Sequence, residues 1–287
     1  MLSNNRSIKI LEAAEKGRYG IVSVVCYNIE AILAVARAAE AQRSPAMILL
    51  FPWAIRYASS HLIAFAASVA HSASVPIALH LDHAASPEDI RFAADLGPER
   101  GFDSIMVDMS HYEKAENLRL TKELTTYCHE RGIAVEAEPG RIEGGEDGLK
   151  GTEDLTGMMT TPEEVEEFVR TGIDFLAPAF GNVHGEYGPR GVQLEFDRLE
   201  SIRQEARGRV RLVLHGTTAV PPETIQRCIE HGVSKINVNK LIARPYAELL
   251  REKGGKIPTT KFMEEATCVM QERIEWQMQV CGSVAKV

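Results

Sequence analysis

Short apolar runs alternate with helix-period segments along nearly the whole chain, and this alternation most limits its possible folds. We predict eight strands, at residues 21–26, 46–50, 75–81, 104–108, 133–138, 173–178, 210–214 and 234–238. Proline near the first turn and glycine at the end mark the intervening helices, as from Pro87 to Gly97. Eight such units without a linker favour a closed parallel barrel over an open doubly wound sheet. We therefore expect an α/β protein whose residues 1–287 form a single (β/α)8 TIM-barrel domain.

Two further helices are predicted outside the eight units. Residues 7–16 place Ile8, Leu11 and Ala14 on one face, which suits an extra N-terminal helix that plugs the bottom of a barrel. Residues 260–280 form a C-terminal helical tail, whose apolar stripe comprises Phe262, Ala266, Val269, Met270 and Ile274. Packing on the core and contact with a second subunit are the two interpretations of that stripe.

The composition argues against several kinds of partner. The net charge of −8 over 287 residues disfavours binding to nucleic acid or to an anionic membrane. No run approaches the roughly 20 apolar residues that a membrane-spanning helix needs, and the N-terminus lacks a signal-peptide pattern. The five cysteines are dispersed and form no Cys-x-x-Cys pair, which fits free thiols in a reducing compartment. We expect a cytoplasmic protein.

Polar side chains recur where the predicted strands end. They are, from the third strand to the eighth, Asp82 and His83, Asp108 and Ser110, Glu136 and Glu138, Asn182 and His184, His215, and Asn237 and Asn239. In a parallel barrel these ends share one rim, where catalytic groups gather. Three imidazoles with an open fourth position form an established catalytic zinc arrangement, and nearby carboxylates orient the ligands or move protons. The pattern predicts a Zn²⁺ site made by the three histidines.

The segment PIALHLDHAAS, residues 76–86, carries two of the nine histidines within four residues. It has the pattern of a strand, where side chains alternate, so His80 and Asp82 share one face and His83 lies on the other or in the turn beyond. The three polar groups therefore do not form one metal clip. We expect mainly structural or solvent-facing roles for His80 and for the histidines on predicted helices or loops, which are His61, His71, His111, His129 and His231.

A long glycine-rich acidic segment, EPGRIEGGEDGLKGTEDLTGMMTTPEE, follows the fifth strand. Its composition alone is typical of a solvated loop. Above a metal site, the same segment is typical of a lid that closes over substrate and brings a carboxylate as a general base.

The motifs HLDH, SIMVDMS, EAEPGRIEGGEDG, FGNVHGEYG, LVLHG and SKINV occur in this order over nearly the whole chain. Together they resemble the class II, zinc-dependent ketose-bisphosphate aldolases, which act on fructose or tagatose bisphosphate. The resemblance implies metal-dependent cleavage of a ketose bisphosphate to dihydroxyacetone phosphate and glyceraldehyde 3-phosphate through a zinc-stabilised enediolate. It also implies a sugar phosphate as the small-molecule partner and a homodimer or homotetramer.

The resemblance assigns a metal site to particular residues. It implies that His83, His184 and His215 hold one catalytic Zn²⁺. Glu138 is implied as an alternative or outer carboxylate. Asp108 is implied as a candidate for a second divalent or monovalent cation.

The resemblance also assigns proton transfer and substrate contacts. Asp82 is implied as the acid/base on the hydroxyl beside the scissile bond, and Glu146 as the lid residue that deprotonates dihydroxyacetone phosphate. Asn237 is implied to position that substrate, with Asn28 contributing from the first strand end. The further candidates for substrate contacts are Gly185, Gly216, Thr218, Asn239 and Lys240.

The chain departs from the family pattern around the substrate. Thr217 and Ala219 stand where glycine is usual after the seventh strand, and β-branched or Cβ-bearing residues do not freely adopt the angles of glycine. Gly188 stands where a lysine is usual, and we hypothesise that Lys240 restores the missing positive charge from a different wall. Residues 49–53 (LLFPW) replace small polar residues and predict a larger apolar wall on the aldehyde side.

Three alternatives remain at this point. One is an aldolase of the same type for a different sugar or acid. Another is a zinc-binding paralogue without aldolase activity, against which the presence of both Asp82 and Glu146 argues. The third, a barrel metallohydrolase, is disfavoured because the first strand lacks His-x-His.

Overall fold

A computed structural model describes residues 2–145, 157–189 and 191–287. In chain order, the strands of these residues are β1 (Ile21–Val25), β2 (Ala46–Leu50), β3 (Ile77–Ala84), β4 (Ser104–Val107), β5 (Ala134–Ala137), β6 (Glu143–Gly144), β7 (Phe175–Leu176), β8 (Val183–His184), β9 (Arg211–Leu214) and β10 (Val233–Val238). Eight of them close into a parallel barrel in the order β1-β10-β9-β7-β5-β4-β3-β2, whereas β6 and β8 pair separately. The predicted α/β barrel is confirmed.

Helices connect the barrel strands. After a short 3₁₀ turn at Leu2–Asn4, the described helices are α1 (Arg6–Gly17), α2 (Ile29–Gln42), α3 (Pro52–Ala58), α4 (Ser60–Ser72), α5 (Pro87–Asp95), α6 (Lys114–His129), α7 (Pro162–Val169), α8 (Phe196–Ala206), α9 (Pro222–Glu230), α10 (Lys240–Lys253) and α11 (Thr259–Val280). Proline occupies the first turn of α5, α7 and α9. An N–H there has no acceptor within the helix, so its absence in proline costs no hydrogen bond. Among these helices, none is long and apolar enough to cross a membrane.

The extra N-terminal helix packs against the bottom of the barrel, as predicted. Leu11 and Ala14 of α1 are fully buried in the same apolar cluster as Met47 and Phe175 from the barrel strands. The Ser7 hydroxyl adds a polar contact, 2.8 Å from the hydroxyl of Ser104 on β4. The first helix therefore covers the lower end of the barrel.

The C-terminal helix α11 packs along α2. Ala266, Met270 and Ile274 of its stripe are buried, which confirms core packing for the centre of the stripe. Met263 and Trp276 of the same helix remain 39% and 42% exposed.

Strand β3 runs beyond its predicted end at residue 81. Its pairing with β4 steps from Leu81–Ile105 to Ala84–Val107, so three residues of β3 span two of β4. This bulge coincides with a left-handed backbone at His83, whose φ is 49°. Simple alternation put His83 on the opposite face or in the turn; the bulge instead turns it to the same rim as Asp82.

At the lower rim of the barrel, two aspartates each link a helix to a neighbouring strand. Asp103, just before β4, accepts a hydrogen bond from the Leu79 amide at 2.8 Å and lies 3.0 Å from Nε2 of His71. Asp174, just before β7, accepts from the Val135 amide at 2.8 Å and lies 2.9 Å from Nε2 of His129. These contacts confirm structural roles for the two histidines.

Candidate metal and active site

Three imidazoles from separate strand ends meet at the upper rim. His83 comes from β3, His184 from β8, and His215 directly follows β9. Nε2 of His83 lies 3.0 Å from Nδ1 of His215, and Nε2 of His184 lies 3.4 Å from the same Nδ1. All three side chains are buried. The structure thus brings together the three histidines that the sequence predicts as metal ligands.

The partners of these imidazoles determine which nitrogens can bind a metal. Nδ1 of His83 lies 2.7 Å from Asp108 Oδ2, and Nε2 of His215 lies 2.9 Å from Glu136 Oε1. An ionised carboxylate only accepts hydrogen bonds, so each accepts one from an imidazole N–H. When His83 is neutral, the two nitrogens that face each other across 3.0 Å both present lone pairs, and when it is charged a proton lies between them. The gap therefore takes a proton or a metal ion, and the three imidazole donors with their outer carboxylates fit a zinc-type ion.

Glu138 and Asp108 form a second group of ligand-type atoms with His83, all within 4.8 Å of one another. Asp108 also accepts hydrogen bonds from the amide and hydroxyl of Ser110, which fix its orientation. One Glu138 oxygen accepts from the Ile142 amide, while Oε2 is buried with no hydrogen-bond partner among the described residues. Burial, together with the charge of Asp108, raises the pKa of Glu138 to about 8.

Asp82 is held by an amide from the opposite side of the rim. Asn237 Nδ2 donates to both carboxylate oxygens of Asp82, at 3.2 and 3.0 Å. Burial raises the pKa of Asp82, but the nearby charge of His83 and the imidazole of His80, whose Nε2 lies 3.6 Å away, outweigh it and hold the pKa well below its usual range. Asp82 is therefore an oriented carboxylate at the edge of the histidine cluster.

A buried ion pair beneath the cluster was missed by the sequence analysis. Lys235 Nζ donates to Glu136 Oε2 at 2.8 Å, and both side chains are fully buried. Glu136 thus joins Lys235 to His215, and the lysine helps to hold the pKa of Glu136 at about 2 against the effect of burial. Alternation along β10 places Lys235 on the same face as Asn237. The sequence did contain a signal for this pair, because Lys235 stands in an apolar strand two residues before Asn237.

Two glycines hold β8, and with it His184, in place. Gly144 on β6 and Gly216 after His215 have φ of +92° and +68°. A Cβ at Gly144 would collide with the His184 carbonyl, and one at Gly216 with the Val183 carbonyl. Both positions therefore require glycine. Glu146, the predicted lid base, lies outside the described residues.

The predicted substrate residues separate into different locations. Gly216, Thr218, Asn237 and Asn239 line the cleft that contains the histidines. Lys240 begins α10 in the adjoining cleft. Gly185 directly follows His184. Asn28 does not line the histidine cleft; its side-chain oxygen accepts from the Ala31 amide and caps α2.

The loop after β9 partly departs from its expected behaviour. Ala219 adopts a φ of +60° although it is not glycine, at a cost of about 1–2 kcal/mol. Thr217 is anchored because its hydroxyl donates to the Asn237 carbonyl at 2.6 Å. The loop therefore retains a left-handed residue without glycine, and the expected steric limit at Ala219 is overcome.

Comparison with known proteins identifies the family. The family model described as "Fructose-bisphosphate aldolase class-II" matches residues 5–286. The chain belongs to this family. It is therefore an aldolase, a carbon–carbon lyase, and its family depends on a metal ion, typically zinc. The observed groups of histidine and carboxylate ligands are consistent with that dependence.

Relatives share the full length of this class II aldolase. A Coccidioides immitis protein named "Putative fructose-bisphosphate aldolase" is 57% identical over 99% of this chain and 96% of its own. Fructose-bisphosphate aldolase of Streptococcus pneumoniae is 34% identical over 97% of each chain. The crystal structure of the YdjI aldolase from Escherichia coli K12 superposes with a TM-score of 0.85 at 30% identity, covering 98% of both chains.

Proposed function

We propose that this aldolase uses Zn²⁺ to cleave and form a ketose (bis)phosphate, with fructose 1,6-bisphosphate or tagatose 1,6-bisphosphate yielding dihydroxyacetone phosphate and glyceraldehyde 3-phosphate. The observation that carries the metal assignment is the 3.0 Å approach of His83 Nε2 and His215 Nδ1, with carboxylates on their other nitrogens. His184 would supply the third ligand. When bound, the ion would provide Lewis acidity at the ketose carbonyl and its neighbouring hydroxyl oxygen.

The carboxylates around the ligands would set the tautomers of the imidazoles. Asp108 holds Nδ1 of His83, and Glu136 holds Nε2 of His215. Glu138 is close enough to serve as an exchangeable or outer ligand, and Asp108 is the candidate for a second divalent or monovalent cation. Outer partners of this kind orient imidazole ligands and raise their basicity.

Asp82 would transfer the proton of the hydroxyl beside the scissile carbon–carbon bond. In cleavage it would accept that proton as the aldehyde forms, and in condensation it would return it. Its lowered pKa keeps the carboxylate ionised and therefore able to accept that proton. The two hydrogen bonds from Asn237 support a fixed direction for the transfer.

Cleavage leaves the ketone fragment as an enediolate, which must gain a proton at carbon. We assign this step to Glu146, on the family resemblance of the segment that contains it. In condensation the same residue would remove the proton from dihydroxyacetone phosphate. Gly145, the described residue just before it, has its carbonyl beside Gly185 at the rim, which supports this assignment.

The phosphate of the ketone fragment would bind between the ends of β9 and β10. Gly216, Thr218 and Asn239 line that side of the histidine cleft. Lys240 is the first residue of α10, a helix N-terminus that favours an anion. Lys240→Met should therefore raise the KM for a phosphorylated ketose. Lys253→Met, at the other end of α10, is the matched control and should leave that KM unchanged.

The proposed reaction is tested by triose-phosphate release from fructose 1,6-bisphosphate and, separately, tagatose 1,6-bisphosphate. Each initial rate is measured with purified protein after chelation and after zinc is restored. A rate that disappears on chelation and returns with zinc supports the proposal. A chelator-resistant rate overturns the metal assignment, and zinc-loaded protein that cleaves neither sugar overturns the bisphosphate assignment.

We also propose that residues 1–287 form one domain that assembles as a cytoplasmic homodimer or homotetramer. The exposed Met263 and Trp276 of α11 support a subunit contact on that helix. Sedimentation equilibrium of the wild type should give two or four times 31.7 kDa, and a monomer at micromolar concentration would refute the assembly.

A further inference from the structure

The histidine cleft has two unlike walls. Thr217, Thr218 and Asn239 form a polar wall, whereas Val25 and Phe51 contribute an apolar one. We propose, on the basis of the proposed aldolase reaction, that the aldehyde half of the preferred substrate is uncharged and lays an apolar or C–H-rich face on the second wall. This aldehyde would lack the terminal phosphate of glyceraldehyde 3-phosphate, so the inference narrows the proposed ketose (bis)phosphate to a monophosphate in place of the two bisphosphates.

The position of Phe51 follows from the alternation of β2. Met47 and Leu49 point into the barrel and belong to its interior cluster, and Phe51 is the next residue of the same parity. It is only 2% exposed, yet it lines the cleft with the histidines. Its ring centroid lies 6.1 Å from that of His83 in an edge-on arrangement. An aromatic surface therefore begins beside the proposed metal ligands.

The surface continues outward through three more rings. Tyr27 lies edge-on to both Phe51 and Trp53, with ring centroids 6.1 Å apart in each pair. Trp53 stacks on Tyr57 at 4.6 Å with an interplanar angle of 13°. Tyr57 is 75% exposed, so these rings lead from the cleft to solvent. We refer to Tyr27, Phe51, Trp53 and Tyr57 as the aromatic strip.

Tyr27 is also tied to the polar wall. Its hydroxyl accepts a hydrogen bond from Asn239 Nδ2 at 3.0 Å. This contact fixes the ring where the two walls meet, so a substrate whose phosphate lies near Asn239 would extend its other half past Tyr27. The strip is thus positioned to contact the half of the substrate that is released as the aldehyde.

The charges nearby favour an uncharged group at the strip. In the segment 51–59 the sequence contains one cation, Arg56, and its guanidinium lies 3.3 Å from Asp89. A phosphate laid against the rings would lose water without gaining a cation from this segment other than Arg56, which is unfavourable. By contrast, Lys240 and Arg244 belong to the cleft on the polar side. Aromatic faces bind apolar and C–H surfaces through burial and dispersion.

The test measures condensation of dihydroxyacetone phosphate with two aldehydes by zinc-loaded protein. Benzyloxyacetaldehyde is the uncharged probe with an apolar face, and glyceraldehyde 3-phosphate is the charged one. We expect kcat/KM to be at least about tenfold higher for the uncharged probe. Trp53→Ala should lower this selectivity ratio about two- to tenfold, whereas Phe92→Ala, which removes a 38% exposed ring on α5, should leave it unchanged.

A separate readout distinguishes failure of this inference from failure of the proposed reaction. Exchange of a dihydroxyacetone phosphate carbon-bound proton with deuterated solvent needs no aldehyde, and NMR detects it directly. Suppose the protein catalyses this exchange. The inference is then overturned, and the aldolase reaction is kept, if condensation prefers glyceraldehyde 3-phosphate or if Trp53→Ala leaves the selectivity ratio unchanged. If the wild type prefers glyceraldehyde 3-phosphate and Arg56→Met loses this preference, Arg56 is the partner of the phosphate. No exchange by zinc-loaded wild type overturns both.

Discussion

The two rims of the barrel use histidine and carboxylate pairs for different purposes. At the lower rim, Asp103 and Asp174 each bind a histidine and also accept a backbone N–H of a neighbouring strand. At the upper rim, His83 and His215 bind carboxylates through one nitrogen and direct the other toward a second imidazole.

This difference separates stabilising pairs from ligand-binding pairs. The carboxylates of the lower rim connect helices to strands, so their hydrogen bonds exist only in the folded barrel and stabilise it. The facing nitrogens of the upper rim share a proton or a metal ion, so their arrangement binds a cation. Changes at the upper rim should therefore act on metal binding and rate, and changes at the lower rim on stability.

The sharpest test of this contrast removes an upper-rim ligand. His215→Ala should lower bound zinc and the cleavage rate by more than about 100-fold, because loss of an outer partner alone typically costs 10–100-fold. The chelated variant should remain folded, since Glu136 keeps its ion pair with Lys235. Zinc content, initial rate and circular dichroism measure these effects.

A surface histidine provides the control. His231 lies 3.2 Å from Glu200 on the outside of the barrel, and His231→Ala should change neither zinc content nor rate. A His215→Ala protein that holds zinc as tightly as the wild type would contradict the metal assignment.

Glu136 should give the next largest effect, because it contacts both His215 and Lys235. Glu136→Gln should weaken zinc binding about 10- to 100-fold. It should also lower the free energy of unfolding by about 3–5 kcal/mol, since Lys235 would be left charged and buried. Adding Lys235→Met should recover stability without recovering zinc affinity, and equal recovery of both would show that Glu136 acts only through folding. Urea unfolding of chelated protein and zinc titration separate the two.

The alternation of strands and helices was sufficient to predict the barrel because each βα unit has its own local signals. Pro87 and Pro162 mark helix starts from a few neighbouring residues. The end of β3 was not predictable in this way. Its bulge at His83 depends on pairing with β4, a contact that strand alternation alone does not encode.

The site was predictable to the extent that its residues lie at strand ends. His83, His184 and His215 could be selected because all strand ends share a rim. The Glu136–Lys235 pair was missed because it connects two strands through the barrel interior, and Asn28 caps α2 and does not line the histidine cleft. Such partners follow from tertiary contacts.

The pH dependence of zinc binding should distinguish the rims further. Burial lowers the pKa of His83, but the charges of Asp82 and Asp108 outweigh it and raise the pKa to about 10 in the metal-free protein. Zinc must displace that proton, so apparent zinc affinity should rise roughly tenfold per pH unit between about pH 7 and 8.5. Asp108→Asn should reduce this slope, and Asp174→Asn should not. Competition titrations with a zinc chelator measure both, and a slope unaffected by Asp108→Asn would contradict this origin.

The same pKa has an opposite consequence for the stability of metal-free protein. The raised pKa of His83 stabilises the fold below the ordinary value of 6.5, and this contribution is lost as pH rises toward about 10. Chelated protein should therefore become less stable with rising pH while zinc affinity increases. Urea unfolding at several pH values checks the sign.

The smallest predicted effect belongs to the partly exposed pair of the lower rim. Asp174→Ala leaves the Val135 amide and His129 without their carboxylate, which should lower the free energy of unfolding by about 1–3 kcal/mol. The rim lies at the opposite ends of the strands from the histidine cluster, so zinc content and kcat should stay within about twofold of wild type. His129→Ala should lower stability less, because the Val135 amide keeps its acceptor. A large fall in kcat for folded Asp174→Ala protein would show that the rims are coupled through the strands between them.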